Sequence, residues 1–228
     1  MTKKPSKKTT PETVEVKSRA YGYHTRAARG SIKPVTLNDV LLKNSKRVAI
    51  INPLAREVHS MLKVSAGFFK ESMFWQKMLS CMYAVNTITP IALLSSLIGT
   101  ELNSRYPLIR FGNMHSIETI LKGKYMTVYL SNNTGLYFQK AYDAYRYDMI
   151  LMFFTNKGVG VAQDMKTSEW FKMNEATGKI EFEFNIPKAS AYYLVCLRLH
   201  MGKNEKVIDN LASQGMCIMK TGILLATI

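Results

Sequence analysis

Apolar positions in the first half of the chain recur at helical spacing. Asn52 and Pro53 are typical of a helix start, because Asn caps free backbone amides and Pro suits the first helical position. The apolar residues that follow recur at i, i+4, i+7 and i+8: Leu54, Val58, Met61 and Leu62. This pattern predicts a helix with one buried face.

Other helices are predicted on either side of this one. The spacing of Thr36 and Asp39 fits a capping box and predicts a short helix before Asn52. After Gly67, one apolar stripe predicts a helix from about residue 68 to 85: Phe68, Trp75, Met78, Leu79 and Met82. Thr89 and Pro90 predict the start of a third helix. We therefore expect a helical unit over residues 36–104.

From Lys124 onward the pattern changes to short β-rich runs separated by turn residues. Apolar residues at 180, 182 and 184 alternate with polar ones, as in a strand with one buried face. Many short strands predict an antiparallel, Ig-like β-sandwich over residues 105–228, although the Cys…Trp…Cys pattern of true Ig domains is missing. The predicted fold class is α+β, with a basic N-terminal arm and the helical unit preceding the sandwich.

The positive charge is concentrated in the first part of the chain. The whole chain carries +15, and its first 63 residues hold 14 basic and four acidic side chains, a net charge of +10. No carboxylate occurs from residue 16 to 38. Such a segment suits a polyanion, because cations displace condensed counterions and aromatic rings stack on bases. We therefore interpret residues 1–35 as a basic flexible arm.

This arm supplies the candidate nucleic-acid-binding residues. They are its cations and two tyrosines: Lys3, Lys4, Lys7, Lys8, Lys17, Arg19, Tyr21, Tyr23, Arg26, Arg29 and Lys33. Docking on an acidic protein surface or on an anionic membrane is the open alternative. The arm lacks an amphipathic stripe of Leu, Phe or Trp, so we expect no membrane partner. A cluster of tyrosines at positions 137, 142, 145 and 147 predicts either a base-stacking platform or ordinary half-buried strand residues.

The residues that could form a catalytic or metal-binding site do not have the spacing that such sites require. None of the four histidines pairs with another at the spacing of metal ligands within one helix. Asp143, Asp148 and Asp164 each border a strand or turn, where Asp is ordinary. The three cysteines form neither a disulfide framework nor a zinc pattern and are expected in the core. We predict no catalytic residue, metal or cofactor, and hence a protein that is not an enzyme.

The sequence also predicts neither a secretory signal peptide nor a membrane-spanning segment. No apolar stretch follows the first lysines as it would in a secretory signal peptide. The most apolar run, residues 87–99, is shorter than the roughly 20 residues needed to span a bilayer. We expect a cytoplasmic location, or a place in a virion assembled there.

Several segments resemble a family of uncharacterised proteins that are numerous in Bacteroidota. These segments are INPLAREVHSMLK, FKESMFWQKMLS, ELNSRYPLIRFG, KIEFEFNIP and SAYYLVCLRL. The resemblance covers about residues 20–228. It implies a basic N-terminus, a helical segment, a C-terminal Ig-like sandwich and a non-enzymatic role.

These observations predict a non-enzymatic structural or assembly protein. Its basic arm is expected to contact nucleic acid or neighbouring subunits, as in a phage or virus particle component. The alternative is a cellular nucleic-acid- or ribosome-associated binding module. The partners implied are nucleic acid, further copies of the chain, or other proteins.

Overall fold

The chain divides into two compact units, Met1–Lys46 and Arg47–Ile228. The computed structural model describes residues 13–19, 22–27, 38–111, 115–132, 141–173 and 175–224.

The first unit contains a β-hairpin. Strands β1 (Thr13–Ser18) and β2 (Gly22–Ala27) pair antiparallel, with Lys17 opposite Tyr23 and Val16 opposite His24. Gly22 has a φ of +64°, a left-handed conformation that glycine adopts without strain. These two strands were not predicted from the sequence, and they lie inside the segment interpreted as a flexible arm.

One long helix replaces the two that the sequence predicted. Helix α1 (Asp39–Ala66) runs through Pro53 without a break. Asn38 caps it, because its Oδ1 accepts a hydrogen bond of 2.9 Å from the backbone amide of Leu41. An internal proline costs a helix about 3 kcal/mol. Burial of each large aliphatic side chain gains about 1.5–3 kcal/mol, so the buried Ile51, Leu54 and Val58 outweigh the proline.

Two shorter helices follow, α2 (Phe74–Ala84) and α3 (Pro90–Ser95). Helix α2 begins later than predicted, because a 3₁₀ turn at Gly67–Phe69 precedes it. This turn leaves Phe68 65% exposed and buries Phe69 completely, which corrects the predicted stripe. Within the described residues, no helix combines the length and apolar character needed to cross a membrane.

The rest of the second unit is built from antiparallel strands. In the described part these are β3 (Ser116–Lys122), β4 (Tyr125–Asn132), β5 (Ala144–Phe154), β6 (Gly160–Thr167), β7 (Phe171–Lys172), β8 (Gly178–Asn185), β9 (Tyr192–Lys203), β10 (Lys206–Val207) and β11 (Gln214–Ile223). The main sheet has β5 and β9 at its centre, with β6 and β7 beside β5 and with β11 and β10 beside β9. The small sheet has the order β3-β4-β8.

The two sheets face each other across one apolar core. The small sheet contributes large side chains to it, including Met126, Val128, Leu130, Phe182 and Phe184. The main sheet contributes the odd-numbered residues of β5 and β9, including Tyr147, Met149, Leu151, Val195 and Leu197. This arrangement confirms the predicted α+β fold with a β-sandwich.

The helices cover the opposite face of the main sheet. The even-numbered residues of β5 and β9 pack there against helical side chains: Ile150, Met152, Phe154, Leu194 and Cys196 with Leu54, Val58, Phe69, Phe74 and Met78. The central strands are therefore buried on both faces, which explains why their sequences are almost continuously apolar.

Candidate functional site

Four of the predicted nucleic-acid-binding residues lie in the described part of the chain. They are Lys17, Arg19, Tyr23 and Arg26, all on the β1–β2 hairpin or its turn. The others lie outside the described residues: Lys3, Lys4, Lys7, Lys8, Tyr21, Arg29 and Lys33. The structure therefore describes part of this candidate interface.

The hairpin brings Lys17 and Tyr23 together. They are opposite in register, and the Nζ atom of Lys17 lies 5.0 Å from the centre of the Tyr23 ring. Tyr23 is 70% exposed, and Arg19 is exposed in the turn that follows β1. Arg26 pairs with Val14 near the other end of the hairpin. An exposed cation beside an exposed ring can contact a phosphate and a base together.

A further basic residue, Arg47, has a structural role in the second unit. Its guanidinium donates hydrogen bonds to the backbone oxygens of Tyr83 and Val85, at 2.7 and 2.8 Å. A cation at a helix C-terminus satisfies carbonyl groups that lack partners within the helix. Arg47 therefore fixes the end of α2 and is less available to an external anion.

The predicted tyrosine platform is buried inside the sandwich. Tyr142, Tyr145 and Tyr147 lie in the core between the two sheets, and Tyr137 lies outside the described residues. Side chains in such positions cannot stack on a base. The three described tyrosines are strand and core residues, which was the alternative interpretation of the sequence.

Tyr147 lies at the centre of a buried polar cluster. Its hydroxyl accepts a hydrogen bond from Asn132 Nδ2 at 2.9 Å and lies 2.9 Å from His115 Nε2. Burial raises the pKa of Tyr147 well above its ordinary value. Burial also lowers the pKa of His115 to about 4, so this imidazole is neutral at physiological pH. The cluster joins the two sheets and has no charge to offer a substrate.

The neutral His115 should make stability sensitive to mild acid. Its folded pKa is lowered, so the unfolded chain binds the proton more readily and stability falls as pH drops from about 6.5 towards 4. For a pKa of about 4 against an ordinary 6.5, we expect His115 to lower the free energy of unfolding by about 2 kcal/mol between pH 7 and 5. Urea unfolding at both pH values, with His115→Gln as the comparison, measures this difference. An equal pH dependence in the two proteins would contradict it.

A charged cluster lies on the helix-facing side of the main sheet. Asp148 on β5 is 1% exposed, and its Oδ2 accepts hydrogen bonds from Nε and Nη2 of Arg198 at 2.9 and 2.6 Å. His200 Nε2 lies 2.9 Å from the same oxygen, and Thr167 donates to Oδ1 at 2.8 Å. Arg198 Nη1 also donates to the backbone oxygen of Ser65 at the end of α1.

These contacts correct the sequence interpretation of Asp148, which placed it at the border of a strand. Burial alone would raise the pKa of Asp148, but the His200 hydrogen bond and the charge of Arg198 lower it well below its usual range. Both carboxylate oxygens already have partners. A carboxylate that is ionised and saturated in this way holds strands and a helix together, and it is a poor general base.

Burial also perturbs two thiols and two partly exposed groups, Glu101 and His59, and it lowers the pKa of His59. Cys196 is buried and donates a hydrogen bond to the Cys217 backbone oxygen, and burial raises the pKa of both thiols. Burial likewise raises the pKa of Glu101, whose carboxylate accepts from the amide of Leu108 at 3.0 Å. Among the described residues, no group of His, Cys, Asp and Glu side chains is placed to hold a metal ion.

Comparisons with known proteins add little to this geometry. No model of a known protein family matches the chain. No curated protein matches it either. The chain is similar to the solution structure of R. palustris CsgH at 14% identity, over 46% of this chain and 90% of that one, with a TM-score of 0.24. A TM-score this low says nothing about the function of this chain.

Proposed function

We propose that this chain is a non-enzymatic assembly protein whose basic N-terminal arm binds nucleic acid. The observation that carries the proposal is the hairpin, where the exposed Tyr23 ring lies beside the Lys17 ammonium group and close in sequence to Arg19. The net charge of +10 in the first 63 residues supports it. When such a segment binds a polyanion, its cations release condensed counterions, and this release favours binding without any sequence-specific contact.

The described acid–base groups also favour a role outside catalysis. A catalytic base or nucleophile needs a tuned pKa and access to a reacting atom. Asp148 is saturated by its partners, His115 is bonded to Tyr147, and the thiols of Cys196 and Cys217 are buried. These groups stabilise the fold, and the exposed charges of the arm are left to make external contacts.

We expect the double variant Lys17→Glu with Arg19→Glu to bind mixed-sequence DNA and RNA more weakly than the wild type. Each cation that neutralises a phosphate contributes a slope of about 0.9 for duplex, or about 0.7 for single strands, to the logarithmic salt dependence of binding. Loss of two such contacts should therefore reduce the slope by about 1.4–1.8. Fluorescence anisotropy at several salt concentrations measures both affinity and slope.

The matched control is Lys203→Glu with Lys206→Glu, which makes the same charge change at exposed positions around the β9–β10 turn. If both double variants lost the same affinity, binding would follow net charge and the arm would have no special role. Salt-independent binding by the wild type would contradict the electrostatic basis of the proposal.

A further inference from the structure

Among the described strands, β8 is an outer strand of the small sheet and has an open edge. It pairs with β4 over all eight of its residues, without a bulge, and no strand of the described chain pairs along its other side. Outer strands are commonly protected from pairing by a bulge, a proline or lysines. β8 contains one lysine, Lys179, and no proline. Its backbone can therefore accept another strand.

The solvent face of the small sheet near this edge is acidic. Glu181 and Glu183 point outward from β8, and Glu118 of β3 lies in register with Glu181 across Tyr129. Lys179 forms an ion pair with Glu118 at 3.0 Å. Within the described residues, neither Glu181 nor Glu183 forms an ion pair, so two exposed carboxylates lie beside this outer strand.

A groove of about 720 Å³ follows the same edge. One wall is Thr177 with residues 179–183 of β8, and the other wall is residues 166–169 with Phe171, which include one lysine and one glutamate. At about 3.3 Å per residue, the wall from 177 to 183 is about 23 Å long and a six-residue strand is about 20 Å long. The groove therefore has room for one such strand.

We propose that the β8 edge binds the β1–β2 hairpin of a second copy of the chain and thereby extends the small sheet. This inference rests on the proposed assembly function and names the partner of the β1–β2 hairpin. The hairpin and its turn carry Lys17, Arg19 and Arg26 against one acid, Glu15. These cations complement Glu181 and Glu183. Each strand of the hairpin has six residues, which fits within the length of the groove.

The hairpin also has a physical reason to dock. A two-stranded hairpin is marginally stable in water and gains stability by joining a larger sheet. Its exposed side chains include the apolar Val14 and the Tyr23 ring. Pairing two copies of β8 with each other is less favourable, because it would place Glu181 and Glu183 of one copy against the same carboxylates of the other.

Charge exchange between the two surfaces tests the inference. Glu181→Lys with Glu183→Lys should weaken self-association of nuclease-treated protein by about tenfold or more, because attraction across the interface becomes repulsion. The matched control is Glu205→Lys with Asp209→Lys. It makes the same charge change at exposed positions outside β8, in the β9–β10 turn and just after β10, and it should associate like the wild type. Sedimentation velocity over a concentration series measures the dissociation constant, and circular dichroism confirms that the variants are folded.

Mixing two variants separates pairing between copies from docking within one copy. Neither Lys17→Glu with Arg19→Glu nor Glu181→Lys with Glu183→Lys should self-associate. An equimolar mixture should associate again, because each unaltered hairpin meets an unaltered edge. A monomeric wild type, an unaffected edge variant or a mixture that stays monomeric would each overturn the inference.

These results remain distinct from those for nucleic acid. The edge variant keeps its arm, so it should bind DNA and RNA at least as well as the wild type. A wild type that self-associates but does not bind DNA or RNA would refute the proposed nucleic-acid partner and leave the proposed hairpin docking intact. A wild type that binds DNA or RNA but does not self-associate would refute the hairpin docking alone.

Discussion

Replacing Asp148 with alanine should lower the free energy of unfolding by about 3–5 kcal/mol, because it removes one partner from a buried ion pair. Arg198 would keep its charge in a site that is nearly closed to solvent, and His200 would lose its Nε2 partner. The contact between Arg198 and the backbone of Ser65 would also be disturbed, so the change should loosen the end of α1 as well as the sheet.

Urea unfolding at neutral pH measures this effect, with Asp209→Ala at an exposed position as the control. The pKa of Asp148 is depressed in the folded state. The stability that Asp148 contributes is therefore present above the ordinary Asp pKa and is lost as pH falls through the folded value. The wild type and the variant should converge in acid. An Asp148 variant that unfolds at the wild-type urea concentration at neutral pH would show that the cluster adds no net stability.

Phe69→Ala should cost about 3–5 kcal/mol, as large-to-small changes in a packed core do. Phe69 is fully buried between the helices and the main sheet, and its backbone oxygen accepts a hydrogen bond of 2.9 Å from Asn103 Nδ2. The neighbouring Phe68 is 65% exposed. Phe68→Ala should therefore leave the melting temperature close to that of the wild type.

This pair of variants makes a sharp comparison, because it removes the same side chain from adjacent residues of one 3₁₀ turn. Thermal unfolding followed by circular dichroism gives both values. Equal destabilisation by the two substitutions would mean that Phe68 also packs in a core, and it would restore the apolar stripe predicted from the sequence.

The predicted stripe failed at Phe68 for a local geometric reason. Helical periodicity assumes about 100° per residue, and the 3₁₀ turn at Gly67–Phe69 breaks that periodicity before α2 begins. Pro53 misled the helix prediction differently, because tertiary burial of its neighbours outweighs its local cost. The strands of the sandwich were easier to predict than β1 and β2, since alternation such as that of residues 180–185 shows directly which side is buried.

The charged cluster was harder to predict, because its members come from distant parts of the sequence. An aspartate that begins an otherwise apolar run, and an Arg and a His two residues apart on another strand, were visible signals. Only the register of β5 against β9, which places Asp148 opposite Arg198, shows that they meet. Register depends on the whole sheet, so no local pattern reveals it.

The position of the main sheet between two layers has a consequence for synthesis on the ribosome. The helices leave the ribosome early, yet the sheet face that buries them comes from β5, β9 and β11. Translation adds about 5–20 residues per second, so the apolar side of α1 has no cover for several seconds at least. During that time the apolar side of α1 is a surface of the kind that chaperones bind. The yield of folded protein in cells should therefore depend on how well this surface is protected until the strands are made.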